Sequence, residues 1–126
     1  MGPTPEPLRT TPVAGVVSYP SKHPETGEPL KFDMDYYLNG HMPMIEKAWG
    51  PFGMRSWSIS QFPDPDPVTG QAPPYGVQTT IYFDTVEDFQ KALGGPMKDQ
   101  TAEDVKVFSN IFPVIWVGEI AGRKSY

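Results

Sequence analysis

One stretch holds most of the residues that could do chemistry: Asp33-x-Asp35-Tyr36-Tyr37-x-x-x-His41-x-Pro43. His41 is one of only two histidines in the chain. An imidazole is the side chain best suited to accept and return a proton near neutral pH. Tyr37, four residues earlier, falls on the same face of a helix and supplies a hydroxyl that could orient a substrate. These two are the candidate catalytic residues. The competing reading of His41 is structural, a ring bonded to a carbonyl that Pro43 leaves free. His23 sits in a polar loop and reads as solvent-exposed. Asp33 and Asp35 read as a helix cap and a macrodipole partner, not as a catalytic pair.

Other chemistries find less support. With no cysteine, a disulfide, a thiolate metal site and a cysteine nucleophile are all excluded. A metal site needs several converging ligands, and only His41 is expected inside, so no metal is predicted. Haem, which one axial histidine could hold, is disfavoured more weakly. There is no glycine-rich nucleotide fingerprint, because Gly94-Gly95-Pro96 ends a helix instead of opening one. No cofactor is expected. Trp49, Trp57, Tyr82 and Trp116 are candidate substrate-binding residues. Most of the aromatic residues should fill the core, but a few with polar tips turned inward would suit a flat aromatic or phenolic ligand.

The elements that must position these residues follow from periodicity. The segment Phe32–Trp49 is helical, with Asp33 as N-cap and Phe32 stapled against Tyr37. Tyr37, His41, Ile45 and Ala48 or Trp49 form its apolar stripe. Pro43 should kink this helix or free a carbonyl near Asn39–Gly40. Gly50-Pro51-Phe52-Gly53 ends it. Residues 12–20, 54–62, 75–84 and 111–120 read as strands, with Trp57 and Ile59 on one face of the second and serines on the other. Thr85 caps a second helix, whose buried stripe is Val86, Phe89, Ala92 and Leu93. Residues 96–109 read as a short helix and a turn. The loop 63–74 carries five of the 16 prolines and cannot join a sheet.

The order β-α-β-β-α-β gives an α+β, ferredoxin-like fold. One four-stranded antiparallel sheet carries two helices on one face, with the first and third strands central. Pro113 suits an edge position in the last strand. Residues 1–11 form a flexible lead-in, 12–120 the domain and 121–126 a tail. The last strand is apolar on both sides, and two helices cover only one face of the sheet. A second copy of the chain is the expected cover, so a homodimer is predicted.

The segments SYP, FDMDYYLNGHMPMIEKAWGPFGMRSWSISQF and PPYGVQTTIYFDTVEDFQKAL resemble the EthD family, named for a protein of ethyl tert-butyl ether degradation. That family lies in the dimeric α+β barrel superfamily. The resemblance runs from about Val13 to Gly118. It implies two sheets packed into a barrel and a ligand cleft between the helices and the sheet of each subunit. The long lead-in and the 63–74 loop depart from the family pattern.

A net charge of −5, without a basic run, argues against nucleic acid or an anionic membrane as partner. No apolar run approaches membrane-spanning length, and a cytoplasmic protein is expected. The expected function is a small cofactor-independent enzyme doing proton-transfer chemistry on a hydrophobic aromatic or polyketide-like substrate, of the kind found in secondary metabolism. Isomerisation, cyclisation, dehydration and decarboxylation, the work of an isomerase or lyase, all remain open. A cofactor-free monooxygenase and a non-enzymatic carrier of a pathway intermediate are the alternatives.

Overall fold

The computed structural model describes residues 12–126, so the expected lead-in lies outside the described residues. The chain runs β1 (Val13–Pro20), α1 (Met34–Tyr36), a π-helical turn (Tyr37–His41), α2 (Met42–Trp49), a 3-10 turn (Gly50–Phe52), β2 (Met54–Gln61), β3 (Tyr75–Phe83), α3 (Val86–Leu93), α4 (Lys98–Phe108) and β4 (Val114–Glu119). The four strands form one antiparallel sheet in the order β2-β3-β1-β4. This is the ferredoxin-like topology, with β1 and β3 central as the element order requires.

Strand parity decides which residues meet the helices. Val13, Val17 and Tyr19 of β1 are buried, as are Val77, Thr79, Ile81 and Phe83 of β3. Trp57 is registered with Ile81 and Ile59 with Thr79, so both lie on this helix-covered face. Ser56, Ser58 and Ser60 face the other way. Phe89 of α3 packs directly on the backbone of Gly15, where only the absence of a Cβ leaves room for its ring.

The helix ends behave as their residues dictate. Asp33 Oδ1 accepts from the Tyr36 N–H at 3.0 Å, and Thr85 Oγ1 accepts from the Asp88 N–H at 3.0 Å. The rings of Phe32 and Tyr37 meet edge to face at 4.9 Å, which is the expected staple. Gly53 closes the 3-10 turn at φ +99°, a left-handed conformation that favours glycine.

Two details differ from expectation. Residues 96–109 hold a regular helix of 11 residues, so a third helix joins the two expected on that face. Pro113 lies just before β4, which starts at Val114, so the proline takes no place in the ladder. The 63–74 loop contains no strand or helix, as its prolines require. It is tied at its base by Ser21, whose hydroxyl donates to the Pro73 carbonyl at 2.7 Å. No helix of the described residues is long and apolar enough to cross a membrane.

Candidate active site

Pro43 brings no N–H to the helix, yet the helix does not break. It widens immediately upstream into a π turn, in which the Met42 N–H donates to the Tyr37 carbonyl five residues back. The disturbance expected near Asn39–Gly40 takes this form. Tyr37 and His41 then stack, with ring centroids 5.4 Å apart and planes 13° from parallel. Phe108 of α4 packs against the imidazole at 4.5 Å.

The C-terminal end of α4 is fastened to the start of α1. The Asp33 N–H donates to the Phe108 carbonyl at 2.8 Å, and Phe32 bridges Ser109. This tie brings Asp104, one turn before Phe108, beside His41. His41 Nδ1 lies 2.8 Å from Asp104 Oδ2. The Tyr36 hydroxyl donates to Asp104 Oδ1 at 2.7 Å, so both carboxylate oxygens are engaged. The edge of the Tyr36 ring lies over Gly40, where an added Cβ would come within 2.8 Å of it.

The imidazole and the carboxylate are almost sealed from solvent, with side-chain exposures of 6% and 10%. Burial pushes the His41 pKa below its ordinary value and outweighs the upward pull of Asp104. His41 is therefore neutral at pH 7. Asp104 accepts, so the ring proton sits on Nδ1. Nε2 keeps its lone pair and has no protein partner among the described residues. That is the protonation state of a general base.

His41 lines a cleft of about 380 Å³ between the sheet and helices α2 and α4. Ile45, Trp49, Ile81, Val105 and Ile115 supply its apolar walls. Tyr19 and Tyr37 lie at the same cleft. The Tyr37 hydroxyl shares a 2.6 Å hydrogen bond with Thr79 Oγ1. Burial raises the pKa of both phenols, so each keeps its proton. An imidazole, neutral hydroxyls and apolar walls thus line one cleft. A wider hollow of about 890 Å³ opens on the other face of the sheet, and neither histidine lines it. Among the described residues no three histidine or carboxylate side chains cluster in a way that would hold a metal.

Of the residues singled out from the sequence, the cleft brings together His41, Tyr37 and Trp49. Trp57, Tyr82 and Trp116 lie elsewhere. Trp57 shares the helix-covered face and is registered with Ile81, but it does not itself line the cleft, and its indole N–H donates to Glu46 Oε1 at 3.2 Å. Tyr82 and Trp116 have the opposite parity to Ile81 and Ile115, so they stand on the open face of the sheet. Asp104, Tyr36 and Thr79 escaped the sequence reading. Thr79 alternates with Val77 and Ile81, which would have placed it inside. No local pattern links Asp104 to His41.

The EthD domain model matches residues 12–111. A search of curated proteins gives no match. Solved structures similar to this chain include an EthD-like protein from Ralstonia eutropha JMP134. It has 22% identity and a TM-score of 0.75, over 92% of this chain and 97% of that one. An ethyl tert-butyl ether degradation family protein from Bacillus halodurans C-125 is 18% identical with a TM-score of 0.58, over 87% and 98%. A hydroxynitrile lyase from Passiflora edulis is 15% identical with a TM-score of 0.53, over 92% and 99%. At these identities the structures speak for the fold alone. The family model spans most of the chain and includes the whole segment from Asp33 to Pro43, and the chain belongs to the EthD family.

Proposed function

We propose that this protein is a small enzyme that moves a proton on a hydrophobic molecule held in the His41 cleft. The observation that carries this reading is the buried His41–Asp104 pair at 2.8 Å, with Nε2 unpartnered among the described residues and His41 lining an apolar cleft. Asp104 orients the ring and stabilises the imidazolium that forms when Nε2 takes a proton. The neutral Tyr37 hydroxyl is suited to orient, or donate to, an oxygen on which negative charge develops. Isomerisation, cyclisation, dehydration and decarboxylation all contain such a step. A cleft of about 380 Å³ suits a molecule of two or three fused rings.

The test uses 2-tetralone, an apolar bicyclic ketone with acidic C–H bonds, in heavy water. Wild-type protein should speed deuterium incorporation above the buffer rate. His41→Phe, which keeps a ring and removes the proton chemistry, should lower that acceleration by about 10²–10⁴. Exchange by His41→Phe within a few-fold of wild type would refute the reading.

The open face of the sheet supports a homodimer. Ala14, Val16, Ser58, Thr80, Val114 and Trp116 lie on it, while the charged residues Arg55, Asp84 and Glu119 line the hollow on the same face. Trp116 is 72% exposed in a single chain, a large apolar surface in need of a cover. A second copy of the same face is the cover proposed here. Light scattering should give a dimer for the wild type and a monomer for Trp116→Glu, and a wild-type monomer at micromolar concentration would contradict it.

A further inference from the structure

The cleft has one permanently charged lining residue. Lys98, at the first position of α4, is exposed and lies at its mouth. His41, at the other end, is only 5% exposed. The ion pairs among the described residues are Lys31–Glu28, His41–Asp104, Arg55–Asp84 and Lys106–Glu103, and Lys98 belongs to none of them. The helix does not account for this lysine either. A cation at a helix N-terminus opposes the macrodipole, and Met97, the N-cap residue, offers no side-chain cap. Among the described residues Lys98 thus has no ion-pair partner, at the entrance to a largely apolar chamber.

The geometry of α4 sets a length. Lys98, Thr101, Ala102 and Val105 all line the cleft, while Asp104 holds His41. At about 1.5 Å of rise per residue, Lys98 lies roughly 9 Å along the helix from Asp104. The walls between the two ends include Val105, Ile45 and Ile115, which offer no hydrogen bond to a polar ligand.

We propose that Lys98 selects an elongated apolar acid: a molecule with an anionic group at the cleft mouth and its reacting carbon roughly 9 Å inward at His41. This rests on the cleft being the substrate site and adds the substrate's charge and length. The apolar walls lower the local dielectric, so the contact counts for more than one on an open surface.

Isothermal titration calorimetry with biphenyl-4-carboxylate and biphenyl-4-carboxamide tests it without needing turnover. The two probes share an apolar body and differ in charge. Wild type should bind the carboxylate about fivefold more tightly at low salt, the upper end for a partly exposed ion pair. The preference should shrink at 0.5 M salt. Lys98→Met should abolish it while leaving carboxamide affinity in place, and Lys98→Glu should reverse it. Equal wild-type affinities, a preference that survives Lys98→Met, or no binding of either probe at millimolar concentration would each overturn the inference. A carboxylate preference in a protein that fails to exchange 2-tetralone would refute the acid/base reading alone. Exchange without the preference would refute the Lys98 inference alone.

Discussion

His41 and Asp104 stand 63 residues apart in the chain, yet Nδ1 and Oδ2 meet at 2.8 Å. Two helices from separate halves of the fold build this contact. The π turn aims the imidazole, and the α1–α4 tie delivers the carboxylate. Burial keeps the ring neutral, and the carboxylate fixes which nitrogen holds the proton.

Asp104→Asn tests the orienting role. The amide can still bond Nδ1, but it loses the charge that stabilises the imidazolium. Exchange activity should fall by about 10²–10⁴ with the fold intact. The His41 pKa should fall further, because Asp104 is the group that pulls it up. Activity within threefold of wild type would remove Asp104 from the mechanism.

Gly40→Ala tests the support behind the pair. The new Cβ would come within 2.8 Å of the Tyr36 ring, whose hydroxyl holds Asp104. Alanine improves helix propensity by about 1 kcal/mol, so stability should change little once the ring swings aside. Activity should fall on the order of tenfold, as for loss of a hydrogen bond to a charged group. Tyr36→Phe should cost about the same, and the double variant no more than either single one. Additive losses would show that Gly40 does not act through Tyr36.

Much of this arrangement is legible in the sequence. Asp33 and Thr85 announce their helices, and the alternation of Trp57 and Ile59 with serines gives the phase of β2. Tyr37 and His41 share a face on spacing alone. The same parity, read along Val77, Thr79 and Ile81, excludes Tyr82 from the cleft. The rest is hidden for physical reasons. Helix α4 has no side-chain cap, and its buried positions Thr101, Val105 and Phe108 make a weak stripe. Asp104 looks like one more solvated carboxylate until the α1–α4 tie folds it inward. Trp116 announces burial without saying on which face of the sheet.

Gly15→Ala tests the packing that sets the helices on the sheet. The new Cβ would overlap the Phe89 ring, and Phe89 is only 1% exposed. Overpacking of this kind costs about 1–3 kcal/mol or more. Urea unfolding should show that loss, with recovery in Gly15→Ala/Phe89→Leu. An unchanged midpoint would mean that α3 sits more loosely than its geometry implies.

The lowered His41 pKa carries a stability consequence whose sign is fixed. The unfolded chain takes up a proton as pH falls through about 6.5, the ordinary histidine value, while the folded protein still resists it. Stability is therefore retained above pH 6.5 and lost from there down to the lower folded pKa. Urea midpoints of wild type should drop between pH 7.5 and 5.5 by more than those of His41→Phe. Equal drops would contradict the shift.

The most direct measurement is the tautomer and pKa of His41 itself. With only two histidines, nitrogen-15 NMR of histidine-labelled protein gives two ring systems, and His41→Phe assigns them. At pH 7 His41 should be neutral, with the proton on Nδ1 and an unprotonated Nε2, and it should titrate below 6.5. An imidazolium at pH 7, or a neutral ring protonated on Nε2, would leave no base facing the cleft and would contradict the account.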